Sequence, residues 1–317
     1  MSGREPRAPR PPCRDVDGIV LLDKPEGMSS NAALQRVRRA FGARKAGHTG
    51  SLDPLASGLL PVCFGQATKA CGLLLDADKT YRFQVAFGRS TTTGDREGET
   101  SDTQPVPQLD AEVLRAVAVK FVGESAQVPP MYSALKHDGE RLYRLARAGL
   151  DVERAPRRIF IHRLALLDAG PDSAEYEVTC SKGTYVRSLA EDLARALGTV
   201  GHVASLRRTA LGPFVGGRMV PLDAVERAAE EGSGLDAMLL PVDEALPALP
   251  AVQLGELEQA SVLQGRAVPA AGPGASRVRM YGVGGRFLGV GRMSPEGARV
   301  APERIMVQVS ARASERA

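Results

Sequence analysis

From residue 18 the chain settles into regular patterns. Ile19 to Leu22 are all apolar and sit between Gly18 and Asp23-Lys24-Pro25, which predicts a short buried strand ending in a turn. Ser29 or Ser30 then caps a helix whose apolar positions, Ala33, Leu34, Val37 and Phe41, recur at helical spacing until Gly42 ends it. A second apolar run over 59–64 predicts another strand, followed by a helix near 67–75. Tyr81-Arg82-Phe83-Gln84-Val85-Ala86-Phe87 alternates with a period of two and predicts a half-buried strand. Thr91 to Thr103 carries turn residues only, and Asp110 caps a helix through Phe121.

The pattern breaks at Pro129-Pro130, and His137-Asp138-Gly139 makes a turn before a short basic helix over 140–148. Residues 158–167 and 175–180 alternate like paired strands around a Gly-Pro-Asp turn. Ser181-Lys182-Gly183-Thr184 opens a helix over 184–197 with Val186, Leu189, Leu193 and Leu197 inward, and 202–211 reads as a further strand. Helices and strands interleave while hairpin-like pairs recur, so the fold class expected is α+β with a mixed or antiparallel sheet. Residues 241–250 hold three prolines and read as a linker. Beyond them, short strands at 277–280, 287–293 and 305–309, separated by Gly-rich turns, predict a small β-barrel. The organisation expected is a basic tail over 1–17, a main domain over 18–240 with a distinct insertion at about 128–157, the linker 241–250, the small barrel over 251–310, and a tail over 311–317.

At 317 residues with 43% hydrophobic content, the chain can fill two or three cores. No apolar run approaches the roughly eighteen residues that span a bilayer, and the basic start lacks a signal-peptide core. Cys13, Cys63, Cys71 and Cys180 form no CxxC pair or metal-ligand spacing, so a reduced cytoplasmic protein without a zinc site is expected. Net charge is only +4, but it is unevenly spread. Arg36, Arg38, Arg39, Arg44 and Lys45 precede one loop; Arg141, Arg144, Arg147, Arg154, Arg157, Arg158 and Arg163 form a second basic run; 221–259 is acidic. Such clusters suit a phosphate-rich partner, although on charge alone the reading of an ordinary solvated enzyme prevails.

The candidate chemistry lies in Gly47-His48-Thr49-Gly50-Ser51-Leu52-Asp53-Pro54-Leu55-Ala56-Ser57-Gly58. Three glycines and a proline stiffen the loop and can hold Asp53 in one orientation, as a carboxylate nucleophile requires; an Asp before Pro is equally a turn cap. A Ser/His/Asp relay of His48, Ser51 and Asp53 fails because one short loop cannot align the three in a hydrogen-bonded line. A metal site at His48 and Asp53 lacks a third ligand, since His137, His162 and His202 lie in unrelated segments. No metal and no cofactor are expected.

The wording of this loop resembles the signature loop of the TruB family of tRNA pseudouridine synthases, in which the Asp is the nucleophile and the His contacts RNA. Lys79-Thr80-Tyr81-Arg82 resembles the family's second motif, which implies that Tyr81 packs on the target uracil and helps remove its carbon-5 proton. Ser181-Lys182-Gly183-Thr184-Tyr185-Val186-Arg187 resembles the third, which implies that Arg187 pairs with Asp53. Tyr185 and Leu206 fall where family members contact the flipped nucleotide. The resemblance implies a pseudouridine synthase-like catalytic domain, and the segment 131–143 resembles the thumb-like insertion of the bacterial branch. It argues against the dyskerin branch, which needs guide RNA and partner proteins. The C-terminal region resembles a PUA-like RNA-binding domain. A stand-alone, monomeric enzyme follows, making pseudouridine at position 55 in the T-loop of tRNA and gripping the T-arm and elbow, with messenger RNA sites left open. The alternative is an RNA-binding chaperone that folds tRNA independently of catalysis.

Overall fold

A computed structural model describes residues 13–307. Its centre is a ten-stranded mixed sheet. Across it run Val220–Pro221, Gly18–Lys24, Ser57–Phe64, Gly201–Leu211, Lys79–Phe87, Ser173–Cys180, Arg157–Ala169 and Gly123–Gln127, with Ala46–His48 and Phe214–Val215 attached at the side. Most neighbours are antiparallel, but Gly201–Leu211 lies parallel to Ser57–Phe64, and Gly18–Lys24 parallel to Val220–Pro221. Helices Ser30–Ala40, Ala111–Val119 and Val186–Ala196 bury Val37, Leu114 and Leu189 in one core with Phe83, Tyr176 and Val203.

One edge of Ser57–Phe64 is divided between two partners. Ala46–His48 pairs with its far end, from Val62 to Phe64, whereas Arg207 and Arg208 pair with Ser57 and Gly58 at its start. The signature loop crosses the gap between them. Gly58 is required there: it has φ +97°, and a Cβ would run into the Arg208 carbonyl oxygen.

The capping expectations hold in detail. Ser29 accepts from the Ala32 N–H at 3.1 Å, and Asp110 from the Val113 N–H at 2.8 Å. Ser30 does something else: its buried hydroxyl accepts from Leu52 N at 2.7 Å and donates to Leu52 O at 3.0 Å, pinning the signature loop to the helix. Ser30→Ala strands both Leu52 groups, so we expect a loss of about 1–3 kcal/mol in urea unfolding, alongside slower turnover.

Several expectations need correction. Residues 91–103 are not turn alone, because Arg89–Thr91 pairs with Thr100–Thr103 as a hairpin. The expected helix near 67–75 is a 3₁₀ turn, Gly65–Lys69, followed by the short helix Cys71–Leu75. The acidic stretch holds two unforeseen helices, Leu222–Glu230 and Glu256–Leu263. The segment 241–250 connects the two sheets as a packed rather than an exposed stretch: Val242, Ala245 and Leu246 are buried in one cluster with Ile19, Leu21, Val290 and Met306. Tyr281 donates to Asp243 at 2.8 Å, and Arg279 to the Leu249 carbonyl at 2.9 Å, so the C-terminal sheet is fastened to this segment. That sheet has five strands in an open order with Ala251–Gln253 and Val268–Pro269 at its edges. Of the expected basic tail, residues 1–12 lie outside the described residues, as do 308–317. Residues 13–17 run along the surface with defined contacts: Val16 is buried, Arg14 pairs with Asp236, and Asp17 accepts from Gln66 N.

The insertion leaves the sheet directly after Gly123–Gln127 and returns at Arg157–Ala169, two strands that pair with each other. Within it a small hairpin, Lys136–His137 with Glu140–Arg141, turns at Asp138-Gly139 and leads into the helix Leu142–Arg147.

Candidate active site

Asp53, Arg187 and Asp95 form the centre of the site. Arg187 is the second residue of the helix Val186–Ala196 and is 4% exposed. A cation in the first turn works against the helix dipole. Four groups offset that cost: Nη1 donates to Thr93 O at 2.8 Å and Nη2 to Tyr132 O at 2.7 Å, while Nη2 lies 2.9 Å from Asp53 Oδ2 and Nε lies 3.8 Å from Asp95 Oδ2. The helix start is itself held from outside. Gln127 accepts from Tyr185 N at 2.8 Å and donates to Tyr185 O at 3.1 Å, which supplies the cap that no local side chain provides.

Asp95 escaped the sequence reading. It is buried, accepts from Thr93 Oγ1 at 2.6 Å and from Glu97 N at 3.1 Å, and bridges through its backbone to Val203. Thr93-Gly94-Asp95 has the composition of a solvent turn, and nothing local signals that a buried guanidinium stands opposite. Lys24 was also missed. It is fully buried at the end of the strand Gly18–Lys24, and its Nζ donates to Met28 O at 2.6 Å and Pro25 O at 2.8 Å, with Pro54 O at 3.4 Å. Burial pushes this amine down to about 8, against the pull of the Asp53 carboxylate.

Asp53 therefore sits among opposing influences. Burial pushes its carboxyl above the ordinary range and Asp95 adds to that, while Arg187 and then Lys24 hold it down. The cations do lower it, but burial outweighs them. The side chain stays 41% exposed, so an incoming group can reach a carboxylate oxygen, as a nucleophile requires.

His48 ends the short strand Ala46–His48 rather than lying free on the loop. Among the described residues its Nδ1 is buried with no hydrogen-bond partner, and burial, helped by Arg208, pushes the imidazole down, which favours the neutral ring. Tyr81 is partly exposed on Lys79–Phe87, and burial of its phenol pushes it up. Tyr185, immediately before the Arg187 helix, is also pushed up by burial, with Ser133 and Asp53 nearby. Leu206 is 6% exposed, opposite Phe83 in the main core. Among the described residues no group of three or more His, Cys, Asp or Glu could hold a metal ion.

Much of the first basic run is consumed internally. Arg36 pairs with Glu226, Arg44 with Asp15, and Arg38 donates to the Ala43 and Arg44 carbonyls. Arg141, Arg144 and Arg147 on the insertion are exposed.

Residues 38–186 match the TruB family pseudouridylate synthase N-terminal domain. Residues 187–247 match the tRNA pseudouridylate synthase B C-terminal domain, and 250–306 the pseudouridine synthase II TruB C-terminal domain. A protein of Stutzerimonas stutzeri named tRNA pseudouridine synthase B is 52% identical, covering 92% of this chain and 96% of its own length. The chain belongs to the TruB family. A Burkholderia mallei member with the same name is 50% identical over 97% of this chain and 99% of its own. Among solved structures, the TruB-type fold recurs in a Cbf5-Nop10-Gar1 complex with TM-score 0.70 and 25% identity, covering 92% of this chain and 85% of that one. Among the described residues no helix is long and apolar enough to cross a membrane.

Proposed function

We propose that this TruB-family protein isomerises the T-loop uridine of tRNA, at position 55, to pseudouridine, with Asp53 as the nucleophile. The observation that carries the reading is the 2.9 Å pair between a loop carboxylate open to solvent and the buried Arg187 guanidinium. The reaction breaks the bond from N1 to ribose C1′ and joins C1′ to C5 of the same uracil. The proton released from C5 is matched by one gained at N1, so nothing is added or lost. A transient bond from Asp53, to ribose C1′ or to uracil C6, divides this change into two smaller steps. Tyr81 offers a ring face to the base and an oxygen to the C5 proton.

A stacked T-loop base cannot reach Asp53 unless it is flipped out, at roughly a few kcal/mol. The neutral ring of His48 fills the vacated stack, and Tyr185 and Leu206 border the flipped base. The exposed insertion arginines and the C-terminal sheet, a PUA-like domain in this reading, grip the T-arm and elbow. The enzyme acts in the cytoplasm as a monomer, without guide RNA or cofactor.

The direct test is incubation with an unmodified tRNA transcript and mapping of pseudouridine. Formation at the T-loop uridine is expected, and none in a transcript with cytidine there. Affinity should fall linearly with salt on a log-log plot, because phosphate contacts release counterions. His48→Phe should retain more activity than His48→Ala, and stopped-flow fluorescence of a base analogue beside the target should locate the loss in flipping. Equal inactivity of the two variants would give His48 an acid-base role instead.

A further inference from the structure

Arg208 is the largest side chain that the fold buries completely, at 1% exposure. Its Nε donates to Leu59 O at 2.7 Å, and its Nη2 to Gly50 O at 3.0 Å. Those carbonyls stand at the two ends of the segment that carries Asp53. On the neighbouring strand Arg208 lies directly opposite Tyr81, with Leu206 opposite Phe83 two residues away, so the Arg208 and Tyr81 side chains leave the sheet on the same face. Its neighbour Arg207 is neutralised by a bidentate pair with Asp23, whereas among the described residues Arg208 bonds the two loop carbonyls and pairs with no carboxylate. A buried guanidinium without a counter-charge is expensive, and two further buried cations, Lys24 and Lys79, stand near it. Plain core packing would favour an apolar residue at this position. The charge therefore has something to act on.

We infer that Arg208 is a positioning residue for the isomerisation, tying together the two ends of the nucleophile loop and turning a fixed positive charge toward the Tyr81 phenol. This deepens the reading of Tyr81 as acceptor of the C5 proton and rests on it. In that step the electron pair of the C5–H bond restores the ring double bond, and the proton passes to the phenolate oxygen. Tyr81 has already released its own proton to water, and a cation beside the oxygen favours the anion. Burial opposes ionisation of the phenol most strongly; of the titratable groups that act on it, Arg208 favours ionisation, while Cys180 and Asp53 oppose it.

Two substitutions separate the two roles, each read in the full-length enzyme carrying difluorotyrosine at position 81, whose ¹⁹F signal reports the phenol's ionisation. Arg208→Gln keeps amide donors for the loop carbonyls but removes the charge, so the midpoint should rise by about one pH unit, a tenfold change in acidity. Arg208→Lys keeps the charge but loses the fork. Its midpoint should stay near that of the parent, while the Ala56 amide, hydrogen-bonded to Asp53 O, should exchange about tenfold faster. In both variants, without the fluorinated residue, the single-turnover rate should fall about 30- to 100-fold while tRNA affinity changes less than about threefold. A residue that only packs would lower the melting temperature of both variants and leave the midpoint untouched, and that result overturns the proposal. If neither variant folds, the unsubstituted protein decides. The Arg208 Nε–H resonance should shift with the same midpoint as the fluorine signal, and a guanidinium indifferent to Tyr81 ionisation overturns the inference. Because the titration does not depend on turnover, failure of the catalytic reading is recognised separately, by a tRNA assay that yields no pseudouridine while the two signals still titrate together.

Discussion

Asp53→Asn is expected to lower pseudouridine formation by about 10³-fold or more, the scale on which deleting a nucleophile acts, while tRNA affinity changes less than tenfold. The amide has the shape of the carboxylate and can still accept from Arg187 Nη2, so the loop pinned by Ser30 at Leu52 keeps its place. What it lacks is a charged oxygen able to form the covalent bond. Single-turnover quenching with site-specific mapping measures the first quantity, and filter binding the second. Turnover above a few per cent would remove Asp53 from the role. The acid limb of the wild-type rate is a companion test. Burial and Asp95 raise the Asp53 carboxyl, so its ionised form disappears at a higher pH than for a free aspartate, near 3.9. The rate should therefore fall with a midpoint above that value as pH is lowered, with RNA folding followed separately.

How far the site was legible follows from where its information resides. Asp53, His48 and the glycines around them are contiguous, and Gly58 marks the close approach of two strands, so the sequence itself displayed them. The capping residues Ser29 and Asp110 act on amides three residues away and were equally visible. Asp95, Lys24 and Arg208 were not. Asp95 and Arg208 owe their roles to partners remote in sequence, Arg187 for the first and the Gly50 and Leu59 carbonyls for the second. Lys24 bonds nearby Pro25 and Met28 but matters through the remote Asp53 carboxylate it acts on. A polar turn carrying a buried aspartate reads like a turn in water. The packing of the expected linker over 241–250 was hidden for a related reason. Its prolines mark an irregular backbone, but burial of Val242 and Leu246 depends on two sheets meeting there, which local composition does not encode.

Arg187→Lys and Asp95→Asn should both slow catalysis yet move its acid limb in opposite directions. Arg187 divides its donors among Thr93 O, Tyr132 O and Asp53, with Asp95 3.8 Å from Nε. A lysine ammonium cannot reproduce that planar fork, so we expect about a 10²-fold loss in single-turnover rate, comparable to removing one preorganised electrostatic contact. Its hold on Asp53 weakens as well. The carboxyl rises further, and the acid midpoint moves to higher pH. Asp95→Asn removes a negative charge that pushes Asp53 up, so the midpoint should move to lower pH. Its rate should still fall, by roughly tenfold or more, because Arg187 loses the buried counter-charge at Nε that fixes its orientation. Rate–pH profiles of the two variants against the parent measure both effects. Near-normal turnover in Arg187→Lys would show that the guanidinium fork is dispensable. Midpoints shifting in the same direction would mean that Asp95 does not act on Asp53 by charge, and that its place beside Arg187 serves packing alone.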